Sequence, residues 1–555
     1  MKRKFIKIPV LALGLILSVT ALNSCMKDDD VAITEPTRYT SSDVKSYGDL
    51  FKVFWTVMDQ RYNYFYEQKR KDGMDWNAIY REYYPKFLAL KTFGKSTDND
   101  KDINDDRLKA IQYFTEIVDP IIDQHYNVKI SMPASNNGVI STSTFWGGMT
   151  SKNNNIYAFP SKYGYMKDRL TGNVLLSSDF LLAGNLKSNP DIYYFSFAQF
   201  ALASNLKIDL LDKYLTPDTG NGLLLTTADI DASKELNAIK DPAFRSKVRD
   251  FTVNILNQWN SFPASAEVKA FNDQIAAFKS TEVVSDAFLS ATQKALTKSK
   301  TLVAYSSGAT YAPVLTAESL PYIQWFVTRM GTHVQWGYRL PQFQAAAQKI
   351  LDNAPFYKGF LNPLHKGDIK KLIIDLRGNG GGAVVDARFF TDRFITKNAI
   401  WGYQRVKEGN GQFNYTPWVP MQVNPHQFGI PSNIPIVILT DKGSASMSEM
   451  STMMIKTQGA QVISVGDFSA GATAGLGSPD DFNGGTRDKI AGYLEFYMPL
   501  MATKNASGKV IEGVGIEPDI YVTPPTDAEV AAMKNAPSTF IDRVMNEAVK
   551  YLSGK

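Results

Sequence analysis

Phe51, Phe54, Trp55 and Met58 recur at intervals of three and four residues, and Leu108, Ile111, Phe114 and Val118 repeat the pattern before Pro120. One apolar stripe per turn predicts amphipathic helices, hence a helical N-terminal domain over residues 43–130. Between them, the charged stretch from Ser96 to Asp106 reads as a solvated loop. Residues 131–200 change to short β-like pieces between Asn- and Gly-rich turns, ending in a strand at Asp191-Ile192-Tyr193-Tyr194-Phe195-Ser196-Phe197. Helical spacing returns over 201–366, where Phe244, Val248, Phe251, Ile255 and Trp259 mark one face and the stretches 266–298 and 318–352 follow suit. From 367 to 525 apolar runs such as Ile434-Pro435-Ile436-Val437-Ile438-Leu439 and Val462 to Val465 alternate with helical segments, among them Ser446 to Thr457. That alternation predicts an α/β core preceded by a helical insertion. Residues 526–555 read as one C-terminal helix, from Asp527 to Leu552.

A chain of 555 residues exceeds what one core organises, and its 44% hydrophobic content predicts two or three folded domains. Lys2, Arg3, Lys4 and Lys7 precede the apolar run from Val10 to Ala21, too short to span a bilayer but suited to a signal peptide over 1–24. The run ends at Leu22-Asn23-Ser24-Cys25, so the only cysteine of the chain stands where a bacterial lipobox places the lipidated residue. Residues 25–42 then form a tether from a membrane anchor, and no cysteine remains for disulfides, metal or thiol catalysis. Without the four leader charges the formal +5 falls to about +1, which implies no nucleic-acid partner. Met26-Lys27-Asp28-Asp29-Asp30 resembles the acidic export signal of surface lipoproteins of Bacteroidetes type, which implies the bacterial outer membrane.

Candidate chemistry centres on Leu372-Ile373-Ile374-Asp375-Leu376-Arg377-Gly378-Asn379-Gly380-Gly381-Gly382, a strand that breaks into glycines. Bare backbone N–H groups at a strand end suit an oxyanion or a phosphate. Ala383-Val384-Val385-Asp386 follows, without the Lys-Ser of a Walker loop or the spacing of a dinucleotide fingerprint. The next strand runs into Gly443-Ser444-Ala445-Ser446-Met447-Ser448-Glu449, small residues between strand and helix, as at a nucleophile elbow. A serine there needs a base and oxyanion donors; the N–H of Met447 and one of Gly380, Gly381 or Gly382 are natural donors. Four histidines without HExxH spacing give no zinc site, and no cofactor is expected.

These two motifs, with Gly513-Val514-Gly515-Ile516-Glu517-Pro518-Asp519-Ile520, resemble the ordered motifs of the C-terminal-processing (tail-specific) serine peptidases. The resemblance covers roughly 368–525, more weakly 48–200, and implies an α/β fold with a crotonase-like β/α spiral core. It also implies that Ser446 is the nucleophile rather than its neighbours. One branch of the family uses a lysine base about 25 residues further on, but here that position is Ala472, and neither Lys442 nor Lys456 matches it. The other, tricorn-core-like branch takes a histidine from the N-terminal part. His125 in Asp123-Gln124-His125-Tyr126-Asn127-Val128 matches that motif, preceded by Asp75-Trp76 and Tyr80, and Glu512 matches the branch's orienting glutamate. Asp375 and Arg377 read as a structural pair, with Asp375 an alternative orienter of His125.

Gln124 in place of glycine, Met447 in place of alanine and Phe468-Ser469 in place of Pro-Thr depart from the family pattern. No PDZ-like segment is apparent. The expectation is a serine endopeptidase of the envelope, acting on protein or peptide through an acyl-enzyme on Ser446. The competing expectation is a non-catalytic binding lipoprotein on the same scaffold, as in the family's retinoid-binding relatives.

Overall fold

The computed structural model describes residues 39–148, 156–172, 175–177, 180–475, 490–499 and 501–555. The expected leader, Cys25 and most of the tether lie outside the described residues.

The molecule is mixed α/β, with a helical N-terminal region and a central mixed sheet. Its strands are β1 Asn127–Pro133, β2 Ile140–Trp146, β3 Leu170–Thr171, β4 Leu175–Ser177, β5 Leu181–Leu186, β6 Asn189–Phe197, β7 Lys371–Asp375, β8 Ala399–Val406, β9 Val419–Val423, β10 Ile436–Thr440, β11 Val462–Gly466, β12 Leu494–Tyr497, β13 Met501–Asn505 and β14 Ile520–Tyr521. The central sheet runs β14-β11-β10-β7-β6-β5-β3, with β4 paired to β5. From β6 to β14 all neighbours are parallel, so the loops after β7, β10 and β11 emerge side by side at one edge. In open α/β sheets that carboxyl edge is where ligands bind.

The apolar runs of β7 and β10 follow from coverage on both faces. Leu372, Ile374, Ile436 and Ile438 enter a core shared with the insertion and with helix Met447–Lys456. Their neighbours Ile373, Val437 and Leu439 enter a second core with Val544, Met545, Ala548 and Leu552 of the last helix. The insertion is the crossover between parallel β6 and β7, built on helices Pro242–Ser261, Ala266–Thr281, Asp286–Lys300, Leu320–Thr332 and Leu340–Phe356. Glu282 in the left-handed region (φ 51°) divides the helical stretch expected over 266–298.

A third core joins the N-terminal region to residues 474–502. Phe51, Phe54, Phe87 and Phe114 pack with Leu494, Phe496 and Met498, while β1 pairs antiparallel with both β2 and β12. Two expectations are corrected here. Most of Ser96–Asp106 is helical rather than a loop, because Asn99 accepts from the Lys101 N–H (2.8 Å) and starts the helix Asp100–Val118. The C-terminal helix is two, Asp527–Asn535 and Arg543–Ser553; Pro537 disfavours helical backbone at Ala536, and Asp542 caps the second.

Candidate active site

Ser446 stands at the turn between β10 and helix Met447–Lys456 with φ 55° and ψ −116°, a backbone conformation costly for a residue with a Cβ. Its N–H is shared by the Ala472 carbonyl (2.9 Å) and Glu449 Oε2 (3.0 Å). The Glu449 carboxylate, fully enclosed, also accepts from the Ser469 hydroxyl (2.6 Å), Gly471 N–H (2.8 Å) and Ala472 N–H (2.8 Å). Burial nevertheless raises its pKa. Glu449 had a legible signal in the Ser-x-x-Glu spacing of a helix start, although the sequence reading gave it no role.

The glycine loop after β7 lies directly on this turn. A Cβ at Gly381 (φ 93°) would stand 2.7 Å from the Ala445 carbonyl, the Met447 nitrogen and the Ser446 Cβ. The Gly381 N–H is already given to Asn379 Oδ1 (3.0 Å), which removes Gly381 from the expected oxyanion donors. Met447 and Gly380 donate no such bond among the described residues, and neither does Gly382. Beside Ser446 opens a cavity of about 390 Å³ lined by Gly382, Met421, Met447, Met450, Met454 and Met501. A larger one, about 700 Å³ at Arg377, Asp441 and Lys442, contains none of the predicted site residues.

The segment from Ser469 to Ala474, after β11, gathers the remaining parts. Gln124 donates to the Ala470 carbonyl (2.6 Å), fastening the loop that carries His125. Glu512 Oε2 accepts from the Thr473 N–H (2.7 Å) and hydroxyl (3.1 Å) and from the Ala474 N–H (2.9 Å). Asp123 Oδ1 accepts from the N–H groups of His125 (2.8 Å) and Tyr126 (3.2 Å). As a result, polar atoms of Asp123, His125 and Glu512 lie within 4.8 Å of one another. No hydrogen bond joins the Ser446 hydroxyl to His125 among the described residues. Asp123, two residues before His125, is the member of this group to which the sequence reading gave no role.

Burial dominates the electrostatics. It lowers His125 to about 4, which leaves the imidazole neutral at pH 7. It raises Asp123 to about 7 against the two backbone donors, and it raises Glu512 strongly, helped by the charges of Asp123 and Glu449. Two buried carboxylates this close disfavour each other's charged form.

The expected Asp375–Arg377 pair is present and fully buried. Arg377 donates to both Asp375 oxygens (3.0 and 2.8 Å) and to both of Asp542 (2.9 and 2.8 Å). For Asp375, burial is outweighed by the Arg377 and Lys162 charges, which hold it at about 2. Its partners do not include His125, so it is not the orienter. The other histidines are engaged elsewhere: His333 by Leu225 and Asn260, His365 by Arg393, and His426 by Phe428.

A serine in a strained turn between a parallel strand and a helix is the arrangement of a nucleophile elbow. Comparison with known proteins makes the likeness more particular: residues 337–522 match the model of peptidase family S41. That match includes Ser446 and Glu512 and leaves out His125. Carboxy-terminal processing protease CtpB of Bacillus subtilis is 30% identical over 192 residues, 34% of this chain and 35% of that protein. The carboxy-terminal-processing protease of Bartonella bacilliformis is 30% identical over 191 residues, 34% of this chain and 39% of that protein. The chain therefore spans little more than a third of the length of these relatives. A crystal structure described as a peptidase from Parabacteroides merdae is similar over 92% of this chain and 97% of its own, with 14% identity and a TM-score of 0.45.

Proposed function

We propose that the protein is a serine endopeptidase of the bacterial envelope, tethered to the outer membrane through a lipidated Cys25. The observation that carries this reading is the convergence on Ser469–Ala474: the Ser446 turn, the His125 loop and Glu512 all bond to that one segment. Ser446 Oγ attacks the peptide carbonyl while His125 takes its proton. The Nδ1 atom of His125 is buried, which leaves Nε2 for the transfer. Glu512 stabilises the imidazolium that forms. The N–H of Met447 and an N–H of Gly380 or Gly382 hold the oxyanion. His125 then returns the proton to the leaving amine, and water hydrolyses the acyl-enzyme.

A fluorophosphonate probe tests the reading: wild type labels, whereas Ser446→Ala and His125→Ala do not. One observation favours the binding reading, namely the missing hydrogen bond between Ser446 and His125. A wild type that never labels and cleaves no unfolded protein establishes the binding reading instead.

A further inference from the structure

We propose that Asp123, His125 and Glu512 form a divalent-cation site that takes Zn²⁺. Spacing along the chain gave no sign of it, because 387 residues separate His125 from Glu512. In the fold, a ring nitrogen of His125 and a carboxylate oxygen of each acid lie within 4.8 Å of one another. Asp123 and Glu512 are 0% and 2% exposed. Each acid commits one oxygen to backbone N–H groups, Oδ1 of Asp123 and Oε2 of Glu512. The other oxygens, Asp123 Oδ2 and Glu512 Oε1, are buried without a hydrogen-bond partner, as is His125 Nδ1. Three residues of metal-ligand type in one cluster, each with a buried unpartnered polar atom, form a stronger signal than an acidic cluster alone.

Charge points the same way. Neither carboxylate forms an ion pair among the described residues, and the ammonium of Lys71 donates instead to the Gly513 carbonyl (3.1 Å). A divalent ion would neutralise both acids and satisfy all three orphaned atoms. One imidazole and two carboxylates suit Zn²⁺, which sits about 2.0–2.2 Å from such ligands, so the three must draw together by about an ångström. Glu512 also lines a cavity of about 350 Å³, together with Glu67, Arg70, Lys71, Ile122 and Lys504. A metal on His125 would take the base from Ser446; this consequence, unlike the binding itself, rests on the peptidase reading.

The test counts zinc on the chelator-stripped full chain after equilibration with ZnCl₂ and gel filtration, by elemental analysis, alongside the thermal midpoint. Wild type and Ser446→Ala are expected to hold one Zn²⁺ each and to melt higher with it. His125→Ala, Glu512→Gln and Asp123→Asn, the last keeping the Oδ1 acceptor, are expected to hold none at the same free zinc. Their metal-free melting and circular dichroism establish that they fold. Substoichiometric zinc on wild type, or folded variants that bind as wild type does, overturns the site. Fluorophosphonate labelling of wild type should fall in step with occupancy. Undiminished labelling at full occupancy overturns the inhibition, whereas zinc bound by a wild type that never labels sinks the peptidase reading and leaves the site standing.

Discussion

Ser446 acquires its backbone conformation from residues that grip it on two sides, Gly381 above and the Glu449 carboxylate beneath. Gly381→Ala forces a Cβ into three atoms at 2.7 Å from a left-handed φ, so the loop must lift off the turn. Probe labelling should vanish and stability fall by about 1–3 kcal/mol, read from the urea midpoint. The departures from the family pattern also find uses at this scale. Gln124, where a glycine is usual, fastens the His125 loop to Ala470. Ser469 donates to Glu449 and accepts from the Ile516 N–H (2.6 Å). Met447 joins other methionines in the cavity wall. Gln124→Ala should slow labelling by roughly ten- to a hundredfold, because a displaced base loses alignment, while the thermal midpoint stays within a few degrees. Labelling at the wild-type rate would show that the His125 loop needs no such fastening.

At the scale of elements, the site depends on the strand ends being held. Arg377, just past β7, ties Asp375 to Asp542 at the start of the last helix, so the glycine loop is anchored to the C-terminus. Removing one partner of a buried pair leaves an uncompensated charge; Asp542→Ala should cost about 3–5 kcal/mol by denaturant unfolding. The pH dependence has a definite sign. Asp375 is held at about 2 in the fold, below the unfolded value of about 3.9, so the unfolded chain binds more protons between them. Its contribution is complete above pH 4 and is lost as pH falls through about 2. Urea midpoints measured from pH 5 down to 2 should therefore fall less steeply in Asp375→Asn than in wild type.

For the whole molecule, the region matching family S41 is not a self-sufficient body. Residues 337–522 lack β5 and β6, which extend the central sheet, and β1, which pairs with β12. Expressed alone, that segment should show no cooperative thermal transition, and a sharp one would contradict the shared cores. At the cell scale, Cys25→Ser should move the protein from the membrane pellet to the soluble envelope fraction; an unchanged distribution refutes the lipid tether. Much of this architecture was legible beforehand. The apolar runs of β7, β10 and β11, the helix after Ser446 and the helical insertion all follow from periodicity, since each element states its own burial pattern. The helix at Asp100 and the break at Pro537 do not follow from composition, because capping and chain termination override it over a few residues.

The sequence by itself determined which residues have the chemistry: a serine in a small-residue turn, glycines at a strand end, and a histidine and a glutamate in matching motifs. Tertiary structure alone decided which of them meet. It placed His125 against Asp123 and Glu512, gave the Gly381 N–H to Asn379, and kept Asp375 with Arg377. The physical reason is that local pattern fixes the face each residue shows, whereas proximity across hundreds of residues depends on parallel register. Three adjacent strands bring their loops to one edge, and a segment of six residues after β11 supplies the hydrogen bonds that collect them.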